Sequence, residues 1–196
     1  QGQVGLAVMS RYPIALNQVQ DLSDLLWRDL PGAELPHRGT APFPSEQAQN
    51  VQRLSSVAHW VVPIETPRGP LDLMTFHASP PVFDGPEDRN GRRNHDEITF
   101  WRYRLDGAFG PPPDPPFVVA GAANLAPVGS DGRAEAIKAL LADPRLQDPS
   151  GLTGKPTVDW PHPGPGALRV DYILPSTSLT VLDAGVATDP KASRHA

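Results

Sequence analysis

The sequence predicts a single α/β domain in which strands and helices alternate around sheets. Short apolar runs at residues 60–64, 71–76 and 118–120 have the length and composition of buried strands. Residues 94–105 and 133–142 have the 3.6-residue apolar periodicity of helices. Because the two kinds of element follow one another along the chain, an α/β class is favoured over an all-α or all-β class.

The remaining elements are shorter. We expect strands at residues 4–9, 168–174 and 179–182 and a short helix at residues 24–30. In the helix at residues 94–105, Asn94 is expected to cap the first turn together with Glu97, and Gly107 is expected to end the helix. An apolar stripe along this helix is formed by Ile98, Trp101 and Leu105.

Composition limits the class of protein. The chain has 196 residues, of which 39% are hydrophobic and 20% charged, so it can bury one sizeable core. We therefore expect residues 1–196 to form a single domain. No apolar run approaches the roughly 18 residues that span a bilayer. The absence of cysteine excludes disulfides and thiolate chemistry, and the net charge of −5 argues against a broad, non-specific grip on nucleic acid.

The most informative segment is residues 117–127. An apolar strand leads into Gly121, Ala122, Ala123 and Asn124. This segment resembles the Gly-Asp-x-Asn loop of the endonuclease/exonuclease/phosphatase superfamily, whose Asp orients and activates the water that attacks phosphorus. Ala122 stands where the superfamily has that Asp.

The resemblance extends over nearly the whole chain. Four more segments resemble superfamily motifs in the right order, and these are residues 4–14, 71–80, 168–175 and 192–195. A fifth, residues 83–98, is similar to a block of one bacterial and mostly exported branch. The resemblance implies a four-layer α-β-β-α sandwich of the deoxyribonuclease type, and an exported or periplasmic location.

The resemblance also implies that the chain is an incomplete C-terminal portion of that fold. Two strands carrying the metal-binding Asn and Glu would precede Gln1, and a final strand would follow His195. The strand at residues 4–9 would then have an unpaired edge. We expect a second chain or a symmetry mate there.

The implied activity is phosphoester hydrolysis that depends on Mg²⁺ or Mn²⁺, as in a phosphodiesterase, nuclease or phosphatase. His77 would be the general acid or an electrostatic stabiliser, and Asn124 would position water or the metal ion. Asp171 would hold His195, and this pair would bind and polarise the phosphate. Arg89 and Arg93 could clamp the phosphate bidentately.

Each assignment has a structural alternative. A single histidine such as His77 is more often structural, and Asn124 could be an ordinary turn residue. Asp171 could pair with Arg169 instead. His195 lies next to the chain end, where residues often fray. Charge runs such as the one that contains Arg89 and Arg93 are usually solvated loops.

Departures from the superfamily pattern favour impaired activity. Ala122 removes the water-orienting carboxylate, Ala126 stands where an Asp is expected, and Arg194 replaces the usual metal-binding Asp. The rival interpretation is an inactive relative that binds phosphorylated ligands or a protein partner, and a third is that the two alanines were engineered to trap a substrate. The substrate stays open among small phosphoesters, lipid head groups and nucleic acid.

Overall fold

The computed structural model describes residues 5–187, in which helices pack on one face of a five-stranded mixed sheet. The α-helices are α1 (Glu46–Gln49), α2 (Arg89–Leu105) and α3 (Glu135–Leu141). The strands are β1 (Gln20–Asp21), β2 (His37–Arg38), β3 (Ala41–Pro42), β4 (His59–Thr66), β5 (Gly69–His77), β6 (Phe117–Ala122), β7 (Val158–Trp160), β8 (Gly166–Leu168) and β9 (Asp171–Pro175). Two 3₁₀ turns cover Leu16–Gln18 and Trp27–Asp29.

The strand order of the main sheet is β1-β4-β5-β6-β9. Strands β5 and β6 run parallel, and the other neighbours are antiparallel. The C-terminal ends of β5 and β6 therefore lie beside the first residue of β9, at the same end of the strands. Two separate hairpins, β2-β3 and β7-β8, lie outside this sheet.

The core lies between the sheet and helices α2 and α3. Ile98, Trp101, Ile137 and Leu140 have no exposed surface and belong to the same buried cluster as the sheet residue Phe76. The apolar stripe predicted for α2 is therefore confirmed. The face of the sheet that points away from α2 and α3 is also apolar. Its side chains, such as those of Trp60, Leu73 and Val118, are only partly buried.

Helix α2 begins five residues before the predicted start, and the prediction that Asn94 caps it is wrong. Asn94 and Glu97 lie inside the helix and are completely buried. The predicted end is confirmed, because Gly107 has a φ of 88° and the amide of Ala108 donates to the carbonyl of Tyr103. These are the features of a Schellman C-cap.

Three shorter elements differ from the predictions. Residues 5–9 form no strand, although their exposure alternates as in a strand, because no described segment pairs with them. The second chain expected along residues 4–9 stays a prediction. Residues 179–182 are irregular, and residues 24–30 contain only the 3₁₀ turn Trp27–Asp29.

The predicted strand at residues 168–174 is split between β8 and β9. Leu168 pairs with β7, whereas Asp171 pairs with Ala122 of β6. The chain thus changes sheets at Arg169 and Val170, and the carbonyl of Val170 accepts hydrogen bonds from the loop after β6. None of the described helices has the length and apolar character needed to cross a membrane.

His59 is a neutral histidine inside the core. Its imidazole stacks on Phe76 at a ring-centroid distance of 5.8 Å and packs edge-to-face against Phe100 at 4.7 Å. Nε2 lies 2.9 Å from the carbonyl oxygen of Glu97, and Nδ1 lies 2.6 Å from the hydroxyl of Ser55. Since a carbonyl can only accept, Nε2 carries the proton and Nδ1 accepts from Ser55.

We expect His59 to stay neutral well below pH 6.5 in the folded protein, because its burial lowers the pKa of the imidazole. The unfolded chain takes up this proton near pH 6.5. The group therefore destabilises the folded state as the pH falls below that value, by up to about 1.4 kcal/mol per pH unit. Imidazole NMR shifts followed from pH 8 to pH 5 test this. A His59 titration midpoint at or above pH 6.5 contradicts it.

Candidate functional site

His77, Ala122 and Asp171 form a row across three neighbouring strands, at the end of the sheet where β5 and β6 finish. His77 is the register partner of Ala122, and Ala122 is the register partner of Asp171. Partners in register point to the same face of a sheet, and adjacent strands are about 4.8 Å apart. The backbones of His77 and Asp171 are therefore about 10 Å apart, with position 122 between them.

Gly121 allows β5 and β6 to approach closely just before this row. A Cβ atom on Gly121 would lie 2.2 Å from the carbonyl oxygen of Phe76, which is a backbone atom and cannot rotate away. A larger residue would therefore push the two strands apart. The glycine of the Gly-Asp-x-Asn pattern thus has a structural reason in this chain.

Asn124 joins His77 at the end of β6. Its side-chain Nδ2 donates to the carbonyl of Ala78 over 2.8 Å and lies 3.3 Å from Nε2 of His77. The second contact requires Nε2 to accept, so it selects the tautomer with the proton on Nδ1. Asn124 has a φ of 52°, a left-handed conformation that asparagine adopts more readily than most residues.

Two buried polar side chains of α2 hold the loops that carry this site. Nδ2 of Asn94 lies 2.7 Å from the carbonyl oxygens of both Ser79 and Ala123, which follow β5 and β6. The carboxylate of Glu97 accepts from the amide of Ser79 over 2.6 Å, from the hydroxyl of Ser79 over 2.7 Å and from the amide of Ser56 over 2.5 Å. Helix α2 is thereby fixed to the residues next to His77 and Asn124.

The sequence contains a signal for this role that the capping interpretation missed. Asn94 and Glu97 lie four residues before Ile98 and Trp101, so they share the buried stripe of the helix. Polar residues at buried positions need specific hydrogen-bond partners. The pattern therefore indicates a tertiary role for both residues.

The two arginines proposed as phosphate ligands differ in their surroundings. Arg93 donates to the backbone carbonyls of Leu54, Arg53 and Ser55 at 2.8, 2.9 and 3.0 Å. These bonds use three of the five N–H donors of its guanidinium to hold a loop, and the role of Arg93 as a phosphate ligand stays a prediction. Arg89 is the first residue of α2 and is half-buried, and its role as a phosphate ligand stays a prediction.

The alternative pairing of Asp171 with Arg169 does not occur. The guanidinium of Arg169 binds the carboxylate of Asp148 at 2.8 and 2.6 Å and stacks on the ring of Tyr172 at 4.5 Å. Asp171 itself is exposed at the edge of the sheet. His195 lies outside the described residues, so its pairing with Asp171 stays a prediction.

Ala126 is buried behind the site. Its amide and carbonyl both bond the hydroxyl of Ser130, at 3.0 and 2.9 Å, which closes a tight loop. The residue borders a separate cavity of about 310 Å³ that is also lined by Asp148 and Arg169. A carboxylate at position 126 would thus lie near an ion pair and outside the row of His77.

Comparison with family models matches residues 1–195 to the endonuclease/exonuclease/phosphatase family. The chain therefore belongs to this family, and the resemblance of its motifs is confirmed. The expected α/β fold class is confirmed as well. A comparison with curated proteins gives no significant match.

Several solved structures are similar to the chain. SmcL is 14% identical with a TM-score of 0.48, covering 88% of this chain and 53% of that one. Sphingomyelinase C from Streptomyces griseocarneus is 14% identical with a TM-score of 0.44, covering 63% and 44%. A double mutant of beta toxin from Staphylococcus aureus with bound magnesium ions is 12% identical with a TM-score of 0.43, covering 64% and 44%. The chain spans about half the length of these proteins.

We expect Asn94→Ala to lower the free energy of unfolding by about 2–3 kcal/mol. The substitution leaves the carbonyls of Ser79 and Ala123 without their partner inside the protein. Asn90→Ala is the matched control, because Asn90 lies one turn earlier in α2 and bonds a single carbonyl, that of Val82. Urea denaturation measures both variants. Equal losses in the two would show that Asn94 does not hold these loops.

Proposed function

We propose that this chain is a phosphoester-binding member of its hydrolase family in which Ala122 impairs the hydrolytic step. The observation that supports this most directly is the register that aligns His77, Ala122 and Asp171, with Asn124 in contact with His77. In this proposal these residues form the frame of a phosphate site, and the position between its two titratable groups carries a methyl group.

In this proposal the phosphate lies over position 122. A phosphate oxygen replaces Nε2 of His77 as the acceptor of the second Nδ2 hydrogen of Asn124, which leaves Nε2 able to carry a proton. Asp171 orients His195, which stabilises negative charge on the phosphate. Water forms a bond to phosphorus and loses a proton to solvent while the bond between phosphorus and the leaving oxygen breaks, and His77, protonated at Nε2, gives its proton to the leaving oxygen. No described group at position 122 orients that water.

The family resemblance implies a divalent cation, Mg²⁺ or Mn²⁺. Among residues 5–187, no group of three or more His, Cys, Asp or Glu side chains is arranged to hold a metal ion. Mg²⁺ requires near-octahedral oxygen ligands, usually with one or two carboxylates. Asp171 and Asn124 supply too few of these ligands, so the described residues do not fit a Mg²⁺ site by themselves.

A second candidate function is ligand or protein binding without catalysis, and Ala122 is the observation that favours it. The first candidate requires the chain to bind phosphate, whereas a protein-binding module does not. They differ in whether a carboxylate at position 122 is sufficient to increase hydrolysis, and a substitution at this position separates them.

In the natural protein, Ala122→Asp should raise the hydrolysis of bis-(p-nitrophenyl) phosphate with Mn²⁺ about a hundredfold or more, because it returns one preorganised catalytic group. The unmodified protein should hydrolyse this diester barely above background. The new carboxylate would also lie beside Asp171 on the neighbouring strand. We therefore expect calorimetry to show tighter Mn²⁺ binding.

Ala122→Asn is the matched control, since it has nearly the same size without the charge. Its activity should stay within about tenfold of the unmodified protein. Equal hydrolysis by the Asp and Asn variants, or strong hydrolysis by the unmodified protein, would show that position 122 is not the water-orienting position.

We further propose that the protein is exported from a bacterial cell, because residues 83–98 resemble a block of an exported bacterial branch. Fractionation of the source cells tests this location. Recovery of the protein in the cytoplasm alone contradicts it.

A further inference from the structure

A groove of about 700 Å³ opens beside Asn124. Its walls come from the loop after β5, the β7-β8 hairpin and the segment that connects β8 to β9. Pockets that bind small molecules typically have volumes of about 300–1,000 Å³. The groove is therefore large enough for an organic group of substantial size.

Much of the groove wall is proline. The proline residues that line it are Pro80, Pro81, Pro161, Pro163 and Pro165. Proline has no backbone N–H to donate, and its side chain has almost no rotamer freedom to lose. The groove thus offers an apolar surface that is already ordered before a ligand arrives, and binding to such a surface has a small entropic cost.

Two exposed aromatic residues line the same groove. The exposed fraction is 92% for Phe83 and 39% for Trp160, and Leu168 and Val170 add aliphatic surface. Scattered exposed apolar residues are ordinary, but a contiguous group in a concavity marks a binding site. Phe83 also has a φ of 69°, a left-handed conformation that bulky residues rarely adopt.

The charge of the groove excludes phosphate as its main ligand. Asp131 is the one charged residue among the described lining residues, and no Lys or Arg of residues 5–187 lines the groove. Ser130 is already bonded to the backbone of Ala126. A nucleic-acid backbone or a second phosphate would find no neutralising cation among residues 5–187 in this groove.

We propose that this groove is the subsite for the organic part of the phosphoester, namely an aromatic or similarly apolar alcohol group. The proposal rests on the proposed function, because it places the phosphate against His77 and Asn124. Asn124 connects the two sites, since it lines the groove and its Nδ2 lies 3.3 Å from Nε2 of His77. The leaving oxygen would then lie beside His77 while the apolar group contacts Trp160 and Phe83.

Calorimetric titration of the 196-residue chain with 1-naphthyl phosphate and with methyl phosphate tests the subsite. The naphthyl ester should bind at least about tenfold tighter, because its rings are removed from water in the groove. Trp160→Ala should weaken binding of the naphthyl ester at least about fivefold and change binding of the methyl ester less than about twofold.

Two more variants separate binding from folding. Phe83→Gly relieves the left-handed strain, so it should leave the Tm unchanged or raised while it weakens binding of the naphthyl ester. Leu182→Ala is the matched control, because Leu182 is also 92% exposed and does not line the groove. It should bind both esters as the unmodified chain does.

The outcomes distinguish this subsite from the phosphate site. Equal affinity for the two esters, or loss of both in Trp160→Ala, overturns the subsite. Preference for the naphthyl ester that survives unchanged in His77→Ala and Asn124→Ala supports the groove but contradicts the proposed phosphate position. Binding of phosphatidylcholine vesicles that depends on Phe83, without any preference between the soluble esters, assigns the aromatic pair to a lipid surface and overturns the proposal.

Discussion

The geometry of the candidate site depends on polar side chains that α2 buries against two loops. Asn94 and Glu97 together bond the backbone of Ser79, Ala123 and Ser56 from inside the core. A buried amide or carboxylate that loses its partners is costly, so these loops cannot shift without a large loss of stability. The positions of the residues that precede and follow these loops are therefore determined by the packing of one helix.

The same frame explains how reactivity could be lost while the site is kept. The alignment of position 122 between β5 and β9 comes from backbone pairing and from the close approach at Gly121. Neither depends on the side chain of residue 122. An alanine there leaves the backbone positions of His77 and Asn124 unchanged, so under the proposed function the chain can keep phosphate binding while hydrolysis is lost.

Sequence reasoning predicts the parts of the fold that have strong periodicity or local chemistry. The strands that became β4, β5 and β6, the stripe of α2 and its end at Gly107 follow from such patterns. The predictions are wrong where contacts with residues distant in the sequence determine the local structure. Asn94 has the chemistry of a cap but is buried by the sheet loops, and residues 5–9 alternate like a strand without a described neighbour. Arg93 has the chemistry of a phosphate ligand, and the sequence does not show that it also donates to three backbone carbonyls of a neighbouring loop.

Asn124 shows why the structural and functional interpretations of a residue need not compete. Its φ of 52° favours glycine or asparagine, and glycine would satisfy this turn equally well. Only asparagine also supplies an amide, and that amide contacts the carbonyl of Ala78 and the imidazole of His77. The turn accounts for the left-handed backbone of Asn124, whereas the contacts with Ala78 and His77 account for its amide side chain. Because Asn124 also lines the proline-walled groove, one residue couples the orientation of the histidine to whatever group occupies the groove.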